Sequence, residues 1–296
     1  MKLTLFILRD CPFCKRALKY INELKEEYPE FKNIELDIID EEEQRELAGS
    51  YDYYYVPTFY LGDKKLHEGG IYKKEVEELF RSLKNYPIPD ETAENVVKEP
   101  DSVVYGGRQF SYADYLSWKD DKMREIINGI VFSFSAPFRE HAAATIAFLK
   151  KALPFISHRK GQCKIYTAPF DVRLPKNGET ADDKIYNVVQ PDICVICDPS
   201  KLDKRGCIGA PDLIVEVFSP STGKRDANEK FLLYESSGVR EYWLVYPESQ
   251  AVNVFLLQPN GKYDEGTIYE VINKQTKVPV QTLEGLVIDL EELFEE

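Results

Sequence analysis

The stretch Pro211-Asp212-Leu213-Ile214-Val215-Glu216-Val217-Phe218 places a carboxylate inside an apolar run that is rich in β-branched residues. Such a run is typical of a buried strand. A carboxylate there is costly in free energy unless it is paired, protonated or bound to a metal ion. Glu216 is therefore the first candidate for a functional side chain.

A second acid, Asp192, stands at the start of another apolar run, Ile193–Ile196. It lies 24 residues before Glu216, a separation that fits two adjacent strands. Mg²⁺ and Mn²⁺ prefer oxygen ligands, and Mg²⁺ keeps several waters when it binds a protein. The pattern therefore predicts a Mg²⁺ or Mn²⁺ site formed by Asp192 and Glu216.

A lysine follows on the helix predicted at 226–236. Asp226 and Lys230 are four residues apart and share a helix face. Helix statistics favour an ordinary surface ion pair for them. A lysine near a metal-bound water could instead orient that water or stabilise charge developing on a phosphate. Both interpretations stay open on the residues alone.

Residues from about 102 onward alternate predicted helices and strands, which indicates an α/β domain with a β-rich end. The predicted helices are at 112–117, 139–153, 226–236 and 290–294, with a hairpin turn at Asn128-Gly129. The predicted strands are at 164–166, 170–174, 193–196, 213–218, 242–246, 252–257, 269–272 and 278–280.

Several short pieces occur in order along this region: Glu125-Ile126-Ile127-Asn128-Gly129, Arg139-Glu140-His141, Phe170-Asp171-Val172-Arg173-Leu174, Val189-Gln190-Pro191-Asp192-Ile193, Gly209-Ala210-Pro211-Asp212 and Gly238-Val239-Arg240-Glu241-Tyr242-Trp243. With them, residues 110–295 closely resemble the Uma2 family of restriction-endonuclease-like proteins, within the PD-(D/E)XK nuclease superfamily. The resemblance implies a mixed sheet flanked by helices and metal-dependent cleavage of DNA.

The same resemblance implies roles for individual residues. Asp192 and Glu216 would be metal ligands, and Glu140 on the preceding helix is a further candidate ligand. Phe218 stands where the superfamily pattern expects a lysine, so the catalytic lysine would be Lys230 from the following helix. His141 is either a group that orients a ligand or a packing histidine.

The N-terminal region carries a different motif, Cys11-Pro12-Phe13-Cys14, between a predicted strand and a predicted helix. A helix N-terminus favours a thiolate through its dipole and its free N–H groups. Cys11, at the helix start, is therefore the expected nucleophile. Cys14, one turn further on, would resolve the mixed disulfide.

Val56-Pro57 precedes a predicted strand and suits a cis peptide bond placed against the dithiol, although a plain edge-strand start is the alternative. With Cys11-Pro12-Phe13-Cys14 and Glu68-Gly69-Gly70, residues 1–85 resemble the glutaredoxin/thioredoxin-like family. The resemblance implies a thioredoxin fold, thiol–disulfide exchange and a cis Pro57. Ile71-Tyr72 replace the acidic pair with which glutaredoxins often hold glutathione, so glutathione stays an open cofactor.

The expected organisation is a thioredoxin-fold domain at 1–85, an acidic linker with prolines at 86–101, and a restriction-endonuclease-like α/β domain at 102–296. The chain has a net charge of −13. Residues 102–296 carry 23 Lys and Arg against 28 Asp and Glu, and five of these acids lie in the last eight residues. The body of that domain is thus neutral, so a local basic surface is possible but no strong electrostatic steering of a polyanion is implied. DNA is the partner that the family resemblance implies.

Composition narrows the protein class further. Of the 296 residues, 43% are hydrophobic and 30% charged, as in ordinary globular proteins. No apolar run approaches the roughly 20 residues of a membrane helix, so no membrane partner is expected. Six cysteines do not suggest a disulfide scaffold, which favours a cytoplasmic location. The four that follow the dithiol are expected to be small apolar fillers or surface thiols: Cys163, Cys194, Cys197 and Cys207.

Three hypotheses follow for the function. The leading one is a metal-dependent endodeoxyribonuclease with a redox domain. The alternative is a thiol–disulfide oxidoreductase, acting on a protein disulfide or glutathione, whose nuclease-like domain only binds. In the third, the thioredoxin fold is a docking module on a nuclease. A homodimer is also left open.

Overall fold

The computed structural model describes residues 2–9, 11–41, 43–51, 53, 56–71, 73–83, 108–120, 122–133, 139–158, 163–218 and 229–295. The chain forms two compact units, residues 1–99 and 100–296. The linker predicted at 86–101 lies outside the described residues, as do Asp226 and the rest of segment 219–228.

The first unit has an α/β fold of the thioredoxin type. Its elements are β1 (Lys2–Ile7), α1 (Pro12–Glu27), β2 (Glu35–Asp40), α2 (Arg45–Ala48), β3 (Thr58–Leu61), β4 (Lys64–Glu68) and α3 (Lys73–Leu83). The sheet has the order β2-β1-β3-β4, with β1 parallel to β2 and the other pairs antiparallel. Helix α1 begins at Pro12, directly after Cys11, because proline is favoured in the first turn of a helix.

The second unit has a restriction-endonuclease-like α/β fold. It opens with α4 (Tyr112–Ser117), β5 (Arg124–Ile127), β6 (Ile130–Ser133), α5 (Arg139–His158), β7 (Lys164–Thr167), β8 (Val172–Arg173), β9 (Val188–Val189), β10 (Ile193–Ile196), β11 (Leu202–Asp203) and β12 (Gly206–Ile208). It continues with β13 (Leu213–Val217), α6 (Glu229–Ser237), β14 (Glu241–Tyr246), β15 (Ala251–Leu256), β16 (Thr267–Glu270), β17 (Lys277–Pro279), β18 (Val287–Asp289) and α7 (Leu290–Leu293).

A mixed six-stranded sheet with the order β16-β15-β14-β13-β10-β7 forms the centre of this unit. Its only parallel pair among the described strands is β13 with β14. Every residue of β13 is buried. Val215 and Val217 belong to the core that includes Phe148 of α5. Because strand side chains alternate, Glu216 points to the opposite face, where α6 packs.

Helix α5 extends beyond its predicted end. The prediction placed the end at residue 153 because Pro154 lacks the N–H that a helix interior uses. The structure continues the helix to His158 with Pro154 inside it. Phe155 and Ile156 pack against the core, and this burial of apolar surface offsets the lost hydrogen bond.

A second sheet, of order β11-β12-β8-β9-β5-β6, contains the predicted hairpin turn. Asn128 and Gly129 join β5 to β6 with φ angles of 52° and 80°, as a tight turn of this type requires. The short strands β8, β9, β11 and β12 have two or three residues each, and only the first of them overlaps a predicted strand. Pairs this short carry too little periodicity to be predicted from sequence.

The expectation for the four later cysteines is wrong for two of them. Cys163 and Cys197 form a disulfide, whereas Cys194 and Cys207 are buried free thiols. The strands β7 and β10 pair antiparallel with Lys164 opposite Ile196, so the next pair along this ladder brings Cys163 opposite Cys197. This contact depends on the pairing of two distant strands, which local spacing does not reveal.

Candidate functional site

The first candidate site is the pair of thiols at the start of α1. Cys11 occupies the position before the first helical residue, and Cys14 lies one turn into the helix. The Sγ of Cys11 lies 3.9 Å from the carbonyl oxygen of Val56. The peptide bond between Val56 and Pro57 is cis. The structure therefore brings together Cys11, Cys14 and Pro57, which the sequence analysis selected.

The two thiols differ in acidity and access. A hydrogen bond from the Cys14 thiol lowers the pKa of Cys11, and the backbone N–H groups of Cys14 and Phe13 add to this against the opposing effect of burial. Burial raises the pKa of Cys14 well above its usual value, and its contact with Cys11 adds to the rise. Cys11 is also more exposed, at 8% against 1%. This asymmetry suits an attacking Cys11 and a resolving Cys14.

The second candidate site begins with two carboxylates on neighbouring strands. Ile193 pairs with Val215 in the antiparallel ladder of β10 and β13, so the next pair places Asp192 opposite Glu216. The N–H of Val217 donates to Asp192 Oδ2 at 2.7 Å. The N–H of Asp192 in turn approaches Glu216 Oε2 at 3.4 Å. The backbone thus fixes the two acids side by side at one end of the ladder.

Lys230 lies on the inner side of this pair. It follows the first residue of α6, is 3% exposed, and places its Nζ 2.8 Å from Glu216 Oε1. The same Nζ lies 2.9 Å from Glu125 Oε1. Lys230 is therefore not a surface lysine, because its ammonium lies between two buried carboxylates. The pair predicted with Asp226 falls on a residue outside the described ranges.

Tyr234, one turn after Lys230, completes what we call the buried charge cluster: Glu125, Glu216, Lys230 and Tyr234. Its hydroxyl donates to Glu216 Oε1 at 2.6 Å. Burial raises the pKa of Tyr234 well above its usual value, and the nearby charge of Glu216 acts in the same direction. The hydroxyl therefore stays protonated and continues to donate at ordinary pH.

Glu125 also ties the cluster to the segment before Asp192. Its Oε1 accepts a hydrogen bond of 2.8 Å from the N–H of Gln190. The Gln190 side chain donates to Asp171 Oδ1 at 2.9 Å and to the Tyr115 hydroxyl at 3.0 Å. The backbone that leads into Asp192 is therefore held on both sides.

His141 approaches Asp192 from the first turn of α5. Its Nε2 lies 3.0 Å from Asp192 Oδ2, and its Nδ1 is buried with no hydrogen-bond partner in the described part of the chain. This contact is the one that the first of the two roles considered for His141 requires. The preceding residue, Glu140, is 52% exposed on its side chain and contacts Arg139. A hydrogen bond to its own backbone N–H, followed by Arg139, lowers the pKa of Glu140.

The number of neighbouring side chains that can bind a metal ion limits the ligand set of a metal site. Within the described ranges, no group of three or more His, Cys, Asp or Glu side chains is arranged to hold a metal ion. Asp192 and Glu216 therefore stand as a pair, and Glu140 stays a prediction as a third ligand.

Two comparisons with protein families bear on these sites. Residues 112–291, more than half of the chain, match the model of Uma2, described as "Putative restriction endonuclease". The chain belongs to the Uma2 family. Residues 3–66 match the glutaredoxin family model. A glutaredoxin-like unit is thus joined to a Uma2 unit, as the sequence analysis predicted.

Individual proteins of known sequence or structure are also similar to parts of this chain. "Uncharacterized protein slr1290" of Synechocystis sp. (strain ATCC 27184 / PCC 6803 / Kazusa) is 24% identical over 159 residues, which are 52% of this chain and 78% of the relative. The crystal structure of "a putative nuclease belonging to DUF820" from Anabaena variabilis ATCC 29413 covers 62% of this chain and 97% of its own, with a TM-score of 0.50 and 19% identity. That likeness shows the fold. A solved "malarial protein" covers 27% of this chain and 93% of its own, with a TM-score of 0.24 and 18% identity.

Within the Uma2 unit, the positive charge beside Glu216 comes from α6. Phe218, two residues after Glu216, instead packs its ring 5.0 Å from that of Tyr246. Sequence reasoning missed Glu125 and Tyr234. Glu125 could have been found by the argument applied to Glu216, because it too is an acid next to an apolar pair, Ile126 and Ile127. Tyr234 carries the weaker signal of lying four residues after Lys230.

Proposed function

We propose that this chain is a divalent-metal-dependent endonuclease that cleaves DNA, and that its first unit carries out thiol–disulfide exchange. The single observation that carries the nuclease proposal is the opposition of Asp192 and Glu216 across two strands, with Lys230 Nζ 2.8 Å from Glu216. Family membership supports DNA as the substrate.

The residues present fit a divalent cation in two respects. The side chain of Asp192 is 19% exposed, and in the described part of the chain His141 and the N–H of Val217 both contact its Oδ2, which leaves Oδ1 available as a ligand. Charge gives the second reason. Among the described residues, the carboxylates of Glu125 and Glu216 contact the ammonium of Lys230, and the partly exposed carboxylate of Asp192 lies beside them. A partly exposed carboxylate next to a second acid favours binding of a cation.

Asp192 and Glu216 would hold the ion, and the neighbouring residues would hold the two carboxylates. Mg²⁺ or Mn²⁺ bound there would supply polarisation of a phosphoryl oxygen and neutralisation of developing charge. Lys230 and Tyr234 fix Glu216 Oε1, so the other oxygen of that carboxylate stays directed toward Asp192. His141 and the N–H of Val217 fix Asp192 Oδ2. The site is thereby ordered before a phosphodiester arrives.

The test compares nicking of supercoiled plasmid by the parent, Glu216→Gln and Asp192→Asn with Mg²⁺ or Mn²⁺, together with a titration of Mn²⁺ binding. An amide at 216 still accepts from Lys230 and Tyr234, so the fold should survive. We expect each variant to lose at least about 100-fold in cleavage and to bind Mn²⁺ more weakly. The matched control is Glu248→Gln, at an exposed position. Undiminished cleavage by Glu216→Gln, in a preparation free of contaminating nuclease, would overturn the proposal.

The alternative is a Uma2 unit that binds DNA without cutting it. The observation that favours this alternative is the lack of a three-ligand group among the described residues. The same experiment separates the two proposals, because a binding module would retain plasmid in a mobility-shift assay and leave it supercoiled at every metal concentration.

A further inference from the structure

The disulfide between Cys163 and Cys197 lies at the edge of the central sheet. Cys163 directly precedes β7, which is an edge strand, and Cys197 directly follows β10. Both residues are half-buried, so part of each reaches solvent. A disulfide placed in this way is open to attack by a thiolate.

The remaining cysteines of the second unit are unsuited to exchange. Cys194 and Cys207 are buried, at 1% and 0% exposure. Burial raises the pKa of Cys207 to about 12, and it also raises the pKa of Cys194. Buried thiols of this kind are inert. The chain therefore contains one partly accessible disulfide, Cys163–Cys197, and one dithiol whose two cysteines, Cys11 and Cys14, are free.

We propose that the Cys163–Cys197 disulfide of the Uma2 unit is a substrate of the Cys11–Cys14 dithiol. The proposal rests on the dithiol exchange proposed above and adds its target. It stands on the placement of Cys11 at a helix start beside Cys14, and on the half-buried position of the disulfide at the edge of the sheet.

Atoms and electrons balance in this exchange without any further reactant. The Cys11 thiolate attacks one sulfur of the disulfide, the Cys163–Cys197 bond breaks, and the departing thiolate takes up a proton. Cys14 then loses its proton and attacks Cys11, which releases the second cysteine of the Uma2 unit as a thiol. Cys11 and Cys14 are oxidised to a disulfide, Cys163 and Cys197 are reduced, and two electrons are transferred.

The reaction would connect the redox state of the first unit to the sheet that carries the carboxylates. The disulfide joins strand β7 to β10 across a sequence separation of 34 residues. Strand β10 begins at the residue after Asp192. Opening the disulfide therefore removes the covalent link between the edge strand and the strand that leads out of the proposed metal site, while the pairing of the two strands remains.

The test follows reduction of Cys163–Cys197 after one equivalent of dithiothreitol is added to the oxidised full-length chain, with rapid alkylation and peptide mass spectrometry as the readout. Cys11→Ser should slow this reduction by at least about tenfold, because dithiothreitol must then attack the disulfide directly. Cys207→Ser is the control, and its rate should match the parent. The same alkylated peptides form whether the exchange occurs within one chain or between two copies, so the test does not depend on which of the two takes place.

A second readout separates failure of this inference from failure of the proposed dithiol activity. The reduced parent is mixed with 2-hydroxyethyl disulfide, a small substrate that needs no second unit. If the parent reduces this compound while Cys11→Ser leaves the rate at Cys163–Cys197 unchanged, the dithiol is active and the inference is overturned. If the parent does not reduce it, the dithiol activity itself is wrong and the inference falls with it.

Discussion

Replacing Lys230 by methionine tests whether its charge is held inside the buried charge cluster. The substitution keeps the side-chain length and removes the ammonium that lies 2.8 Å from Glu216 and 2.9 Å from Glu125. The three side chains are at most 4% exposed, so solvent screening reduces their interaction little. Breaking a buried ion pair in this way costs about 3–5 kcal/mol of unfolding free energy. A unit of this size has about 5–15 kcal/mol in total, so the loss should be large.

A second substitution makes the test specific. In the Lys230→Met variant, two buried carboxylates, those of Glu125 and Glu216, lose the ammonium that lies between them. Adding Glu125→Gln removes one of those charges, while Glu216 keeps the hydrogen bond from Tyr234. We therefore expect the double variant to be more stable than Lys230→Met alone, by about 0.5–3 kcal/mol. If Glu125→Gln only destabilised another part of the protein, it would not raise the stability of the Lys230→Met variant.

The assay can follow the second unit alone in the full-length chain. The two tryptophans, Trp118 and Trp243, both belong to that unit. Guanidinium unfolding monitored by tryptophan fluorescence therefore reports its free energy without separating the units. Lys150→Met, at an exposed position of α5, is the matched control. A Lys230→Met curve within about 1 kcal/mol of the control, or no rescue in the double variant, would refute the buried ion pair as described.

Three further predictions concern single side chains. Iodoacetamide should label Cys11 before Cys14 near pH 6. Because ionisation of Cys11 is favoured, the labelling rate should rise with pH through a pKa below the ordinary thiol value of about 8.5. Earlier labelling of Cys14 would contradict the roles assigned to the two thiols. His141→Leu should weaken Mn²⁺ binding by about 10- to 100-fold in a titration, because Asp192 loses its orienting contact, and unchanged affinity would exclude that role. Tyr234→Phe should lower the unfolding free energy measured by tryptophan fluorescence by about 1.5–3 kcal/mol, since a hydrogen bond to a charged group is lost. A loss as large as that of Lys230→Met would contradict the expectation that the ion pair contributes more than this hydrogen bond.

The sequence contains enough to place the two acids but not the whole cluster. Asp192 and Glu216 could be predicted as neighbours because each belongs to a strong apolar run and the separation between them fits adjacent strands. Lys230 was found through the family resemblance, whereas helix spacing alone favoured a surface pair. Glu125 carries a local signal, an acid next to two apolar residues, but its pairing with Lys230 spans 105 residues, and a contact of that range leaves no local pattern.

The disulfide between Cys163 and Cys197 is a second contact between distant residues that could not be predicted from the sequence. Residues three apart along a strand face opposite sides, and of Cys194 and Cys197 only Cys197 forms a disulfide. This alternation does not indicate which strand lies beside Cys197. That information is in the register between β7 and β10, which depends on packing of the whole sheet.

Stability alone is a poor explanation for the buried charge cluster. Buried ion pairs lose so much hydration that well-packed apolar side chains of similar volume often give equal or greater stability. The surrounding sheet face supplies such apolar neighbours, including Phe231, Tyr242 and Phe255, so a fold selected only for stability could complete this core without charges. The charges instead continue outward to Asp192, which is partly exposed. A buried lysine that fixes one oxygen of Glu216, next to an accessible carboxylate, is the arrangement expected where a cation and a phosphate are to be bound.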